Sequence, residues 1–167
     1  MTDILGVTGH RPKRLGGYSP RAASILRQFA FKKIEALEPE MVITGMALGW
    51  DQAIAQACID HEIPFVAAVP FVGQDGEWPA KAQRVYEKLL DQADEVKIVS
   101  KGGFTPAKML RRNEWIVDNC DRLLALWDGS KFGGTGHCVL YAEESEVQVI
   151  NVWDDFQQFR SGGVDNP

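Results

Sequence analysis

Short apolar runs alternate with longer amphipathic stretches along most of the chain. Ile4 to Thr8 reads as a buried first strand bounded by Gly9. Ser19-Pro20 then supplies an N-cap and a first helical position. Ile25, Leu26, Phe29, Ile34 and Leu37 recur at helical spacing until Pro39 stops the helix. Met41 to Thr44 is the second strand, broken by Gly45. The helix that follows, around Asp51, carries Ala53, Ala57 and Cys58, a narrow face suited to close packing on a sheet. Phe65 to Val69 is the third strand, closed by Pro70. A helix from Pro79 to Leu90 leads to a fourth strand centred on Val96, Ile98 and Val99. Pro106 begins a helix carrying Met109, Leu110, Ile116 and Val117. Leu123 to Trp127 is the fifth strand, Asp128 to Gly134 a polar glycine-rich loop, and a short helix to about Glu144 precedes a sixth strand, Val147 to Val152.

The strands are near-continuous apolar runs, the pattern of a sheet covered on both faces. Their alternation with helices predicts parallel βαβ units. The expected fold is therefore α/β: one three-layer α/β/α domain with a mostly parallel sheet of about six strands. Residues 1–159 form the domain, and 160–167, rich in small and polar residues, are expected to be a flexible tail.

Composition adds mainly exclusions. A chain of 167 residues with 45% apolar and 25% charged residues is an ordinary globular domain. No run reaches the length of a membrane-spanning helix. The start has no basic leader and enters a strand directly, so a cytoplasmic location is expected. Cys58, Cys120 and Cys138 form no Cys-x-x-Cys pair and no metal-ligand spacing; buried reduced thiols and no metal site are expected. A net charge of −5 disfavours a long nucleic-acid track. Basic residues nevertheless cluster in His10-Arg11-Pro12-Lys13-Arg14 and at Lys108, Arg111 and Arg112, which suits a small anion.

Three glycine-bearing segments carry the candidate chemistry: Thr8-Gly9-His10-Arg11, Gly45-Met46-Ala47-Leu48-Gly49-Trp50-Asp51 and Gly133-Gly134-Thr135-Gly136. Each follows an apolar run and leads towards a helix. In an open parallel sheet all three lie at one edge, where the amides of helix starts face a ligand. Thr8, Gly9, His10, Arg11, Gly45, Met46, Ala47, Gly49, Asp51, Gly133, Gly134, Thr135 and Gly136 are the candidate phosphate-binding positions. Each segment also has a plainer reading. The glycines at 45 and 49 permit tight turning, the 133–136 loop is a flexible surface segment, Arg11 is a solvated basic turn and His10 a structural histidine. Asp51 either hydrogen-bonds a ribose hydroxyl or only caps its helix. Trp50 and Trp78, near loops, are candidates to stack on a base.

The stretch Gly45-Met46-Ala47-x-Gly49-x-Asp51 resembles the motif of the SLOG superfamily, which groups DNA-processing protein A with the LOG cytokinin-activating enzymes. Thr8-Gly9-His10-Arg11-Pro12, Arg112-Asn113 with Asp118, Asp128-Gly129 and Gly133-Gly134-Thr135 look more like the YpsA-like branch, in matching order over roughly residues 4–152. The resemblance implies a Rossmann-like sheet and a pocket for a nucleotide-derived ligand. It also implies that Arg112 and Asn113 face that pocket with Asp118 in support, that Asp128 belongs to the site, and that homo-oligomers, dimers above all, are expected. The expected function is binding of a phosphorylated nucleotide-derived small molecule, ADP-ribose-like, NAD-like or a signalling nucleotide, by a sensor or sequestering protein needing no cofactor. The alternative is an N-glycosidic hydrolase of nucleoside monophosphates, with Asp51, Asp128 and Glu143 as the available carboxylates. LOG enzymes, however, carry Gly-Gly-x-Gly-Thr followed by a catalytic glutamate, whereas here Gly-Gly-Thr-Gly precedes His137-Cys138. The third reading is single-stranded DNA binding, opposed by the acidic charge and by Leu48 where DNA-processing protein A usually carries arginine.

Overall fold

The first strand, β1 (Ile4–Gly9), occupies the middle of a six-stranded sheet because both its faces are apolar. Around it lie β2 (Met41–Thr44), β3 (Phe65–Val69), β4 (Glu95–Ile98), β5 (Arg122–Leu126) and β6 (Gln148–Asn151). The strand order is β4-β3-β2-β1-β5-β6. Every pairing is parallel, with Leu5 opposite Val42 on one side and Gly9 opposite Leu126 on the other. The computed structural model describes residues 2–165.

The helices are α1 (Pro20–Leu37), α2 (Trp50–Asp60), α3 (Ala80–Gln92), α4 (Pro106–Asp118), α5 (Gly134–Glu144) and α6 (Trp153–Asp165). A short 3-10 turn spans Pro12–Arg14. α1 starts as its sequence predicts: the Ser19 hydroxyl accepts the Ala22 amide at 3.1 Å, and Pro20 occupies the first turn. α4 repeats the device with Thr105 and Pro106.

Two apolar cores result, one on each face of the sheet. The larger joins Leu5, Val7, Val42, Phe65, Leu124 and Leu126 to α1, α2, α3 and α6. The smaller joins Ile43, Val66, Ala68 and Leu123 to Ile116 and Val117 of α4 and to Cys138 and Ala142 of α5. This is the expected three-layer, Rossmann-like α/β/α arrangement. Cys58 and Cys138 are buried, Cys120 is half-buried, and all three are free thiols.

Two elements differ from the sequence reading. β4 is an exposed edge strand, with Val96 and Ile98 at 41% and 40% exposure rather than covered on both faces. α6 follows β6 directly and packs on α1, with Phe156 fully buried against Phe29 at 5.1 Å between ring centres. Burying such a ring contributes about 1.5–3 kcal/mol to holding the helix in place. The stretch 160–165, expected to be part of a flexible tail, is helical; residues 166–167 lie outside the described residues.

Successive crossovers carry the chain from β1 outward to β4; it then returns to place β5 on the other side of β1. The turns after β1 and β5 therefore diverge, and a crevice opens between them at the carboxyl ends of the strands.

Candidate functional site

A cleft of about 920 Å3 fills that crevice. Its lining takes Thr8, Gly9, His10 and Arg11 from the end of β1, Ala47 from the β2–α2 turn, Asp51 from the first turn of α2, Arg112 and Asn113 from α4, and Gly133, Gly134 and Thr135 from the start of α5. The three glycine-bearing segments thus converge on one space.

The floor is built around Arg112, which is buried. Its Nη1 donates to the carbonyls of Gly45 and Ala68, the latter at 3.2 Å, and its Nε donates to Asn113 Oδ1 at 3.1 Å. Asn113 in turn donates to the Gly134 carbonyl at 3.1 Å, tying α4 to the start of α5. Gly45 has to be glycine for this packing, since a Cβ there would lie 2.7 Å from the guanidinium carbon. Beside the arginine stands Asp51, only 6% exposed. Its Oδ2 accepts the Ala47 amide at 3.2 Å, while Oδ1 has no partner among the described residues. Burial pushes the Asp51 carboxyl up to about 6, against the opposing pull of Arg112, the Ala47 amide and Arg11. Burial likewise lowers the Arg112 pKa, with Asp51 opposing it most. The floor therefore carries one buried cation and one buried carboxylate.

The rim has a different character. Arg11, Lys13, Arg14 and Lys131 line it, all exposed. No side chain caps the N-terminus of α5, and its first turn holds no acidic residue. Its amides and the positive end of its dipole therefore face the cleft unopposed. Three aromatic rings also border the opening: Tyr18 at 71% exposure, Phe104 at 65% and Phe132 at 87%.

Asp128 holds the two rim loops together. Its amide donates to His10 Nε2 at 3.0 Å, its Oδ1 accepts the Ser130 amide at 3.0 Å, and its Oδ2 accepts from Arg14 at 3.3 Å. Burial acts to raise the Asp128 carboxyl, but the hydrogen bonds from Ser130, with help from His10, outweigh it and hold the group at about 2. His10 is buried, and desolvation lowers its pKa more than Asp128 raises it. The neutral ring accepts the Asp128 amide; the carboxylate, with Oδ1 also 3.0 Å from Nε2, becomes its partner only when the ring is protonated.

Several positions expected in the site serve the scaffold instead. Asp128 does not line the cleft, because its oxygens are engaged by the loops it joins. Gly45 lies beneath Arg112, and buried Met46 contributes a carbonyl to Gln52 at 3.1 Å. Gly49, with φ +96, packs against His10 and Pro12, and Gly136 lies inside α5 against the Ser130 carbonyl. Trp50 is fully buried under Gly9 and offers no face to a base. Trp78 packs edge-on against Tyr86 at 5.2 Å, away from the cleft lining. Asp118 accepts from the Tyr141 hydroxyl at 2.8 Å rather than supporting Arg112 or Asn113. Glu143 is exposed and outside the lining, so Asp51 is the one nominated carboxylate that reaches it.

The exposed aromatics Tyr18, Phe104 and Phe132, together with Lys131 and His137, were missed as site residues. Phe132 sits between Lys131 and Gly133, and an apolar ring inside a polar phosphate-type loop is the signal that marks it. Among the described residues, no group of three or more His, Cys, Asp or Glu side chains comes together, and no helix is long and apolar enough to cross a membrane.

Comparison with known proteins fits this geometry. A family model described as the YspA SLOG family matches residues 5–152. The SPbeta prophage-derived protein YoqJ of Bacillus subtilis is 38% identical over 133 residues, 68% of this chain and 77% of that protein. Among solved structures, DNA processing protein A (DprA) of Streptococcus pneumoniae superposes with a TM-score of 0.64 at 19% identity, over 89% of this chain and 49% of that one. The molybdenum cofactor binding protein of Rippkaea orientalis superposes with a TM-score of 0.59 at 19% identity, over 99% and 86%. At such identities the two structures share the fold with this chain, and this chain spans about half the length of the DprA chain.

Proposed function

The chain belongs to the YspA SLOG family, and from that premise we propose that its cleft binds a phosphorylated, nucleotide-type small molecule. The neighbours in fold are named for a molybdenum cofactor and for DNA, so the fold by itself does not choose the ligand. The charge and shape of the cleft support a small phosphorylated one. The observation that carries the reading is the uncapped start of α5 opening onto the same space as Arg11, Lys13 and Lys131. An anion there meets free amides, a helix dipole and exposed cations together. Each charge-assisted hydrogen bond contributes about 1.5–3 kcal/mol. A volume of about 920 Å3 falls within the range of small-molecule pockets, roughly 300–1,000 Å3. Phe132, Phe104 and Tyr18 give a planar base somewhere to stack, worth about 1–3 kcal/mol per base. Holding such a ligand, as a sensor or a sequestering protein, is the role that this equipment supports. The hydrolase reading retains one carboxylate in the cleft, Asp51, and release of a free base from a nucleoside monophosphate would favour it over binding.

Calorimetry tests the proposal with AMP, ADP, ADP-ribose and NAD, beside a single-stranded DNA oligonucleotide at low and high salt. At least one mononucleotide or dinucleotide is expected to bind, and Lys131→Glu to weaken it by about 1.5–3 kcal/mol with the fold intact. Binding of none at millimolar concentration overturns the proposal, as does binding of the oligonucleotide alone.

A further inference from the structure

We infer that the floor of the cleft is a diol site, where Asp51 and Arg112 hold the vicinal hydroxyls of a ribose, so that the ligand is a ribonucleotide and not its deoxy counterpart. The inference rests on the proposed binding of a nucleotide and specifies its sugar.

Three observations carry it. The first is the unpartnered oxygen. Asp51 lines the cleft at 6% exposure, and its Oδ1, itself buried, meets no donor among the described residues. Helix capping accounts for neither oxygen, since the N-cap is Gly49: Oδ2 reaches back to the loop amide of Ala47, and Oδ1 is left over. A buried carboxylate oxygen without a donor is costly, and a ligand that brings a donor relieves the cost. The second is the arginine beside it. Among the described residues, the hydrogen bonds of Arg112 run from Nε and Nη1 to Asn113, Gly45 and Ala68, which leaves Nη2 as the donor for a ligand. The floor thus offers an acceptor and a donor side by side. A phosphate matches the arginine but is repelled by the carboxylate, and an ammonium does the reverse. A hydroxyl donates and accepts at once, and a vicinal pair of hydroxyls satisfies both residues. The third is the division of the cleft. The rim cations and the open end of α5 suit the phosphate, so the phosphate and the sugar have separate places and the ligand lies with its sugar inward.

A site whose buried polar groups expect hydroxyls rejects an analogue lacking them, because those groups are then left unpaired. The test is calorimetry of ADP, 2′-deoxy-ADP and 2′,3′-dideoxy-ADP, with pyrophosphate as a sugar-free probe, against the full chain and Asp51→Asn. The Asn variant keeps the size of the side chain and an acceptor for the Ala47 amide, and its thermal unfolding checks the fold. The intact chain is expected to prefer ADP over the dideoxy analogue by roughly tenfold or more, and Asp51→Asn to collapse that ratio. A role of Asp51 confined to the fold would shift all the nucleotides together and leave the ratio alone. Equal affinities of the intact chain for ADP and its dideoxy analogue, with pyrophosphate still bound, overturn the diol site and leave the phosphate site standing. No binding of any of the four, with AMP, ADP-ribose and NAD also unbound, overturns both.

Discussion

Two strand-to-helix turns, 45–49 and 133–136, share a glycine-rich sequence and the same edge of the sheet, yet they have different jobs. In the first, a Cβ at Gly45 would lie 2.7 Å from the Arg112 guanidinium, and one at Gly49 would lie 2.7 Å from the His10 carbonyl. The Trp50 amide is already bonded to that carbonyl at 3.3 Å, and Asp51 places a carboxylate in the first turn of α2. In the second turn, Gly136 is packed against the Ser130 carbonyl inside α5, but at the cleft Gly133 meets nothing within 4 Å and Gly134 meets only Asn113 Nδ2 at 3.7 Å. No acidic residue follows. Glycine permits close approach in both places; the protein itself fills the space in one, and the other is left for a guest. The lesson is that a glycine motif reports crowding or vacancy without saying which, and the charge that follows it distinguishes the two.

The comparison can be broken most severely at Arg112. Replacement by Met strips the buried Asp51 carboxylate of its counter-charge and two carbonyls of their donor. Denaturant unfolding is expected to show a loss of about 3–5 kcal/mol; a loss within the range of an exposed substitution would remove Arg112 as the keystone of the first turn.

A smaller effect sharpens the electrostatic half of the contrast. The folded pKa of Asp51, about 6, stands above its ordinary 3.8. The folded protein therefore holds this proton more tightly than the unfolded chain does. The resulting stabilisation is fully present below about pH 4 and is lost as pH rises to about 6. Relative to Asp51→Asn, the native chain is expected to gain on the order of 1–3 kcal/mol between pH 7.5 and pH 4, measured by thermal melts of both across that interval. A constant difference between the two would mean that the first turn of α2 bears no strained charge.

The mildest test pits the turns against each other directly. Gly45→Ala is expected to cost about 1–3 kcal/mol through overpacking. Gly134→Ala, at a helical position with room for a methyl group, is expected to change stability by less than about 1 kcal/mol, and favourably. Equal losses in the two variants would erase the distinction.

Much of the scaffold was legible because an all-parallel sheet writes itself as apolar runs between amphipathic helices. β4 departs from that pattern because Glu95 and Lys97 alternate with Val96 and Ile98, the mark of a strand at an edge. α6 went unread because Trp153, Phe156 and Phe159 share their segment with Asp154 and Asp155, directly after the last strand and before a glycine-rich end. The site was legible by segment but not by residue. Trp50 looked like a loop tryptophan, but the missing side chain at Gly9 makes the space into which its ring turns, and no local pattern reveals that partnership across the sheet. Arg112 shows in the sequence only as one member of a basic cluster on α4, and it takes the family resemblance to turn it and Asn113 towards the pocket. Phe104 and Phe132 were passed over because exposed rings in loops carry no periodic signature.

Asp128 has one more consequence. With its amide on His10 and its carboxylate on Arg14 of one loop and on Ser130 of its own, this one residue fixes the gape of the entrance. The jaws are set before a guest arrives, so less binding energy is spent on ordering them. Held at about 2, the clasp stays ionised well into acid, and the doorway should keep its width after the charge deeper inside has gone.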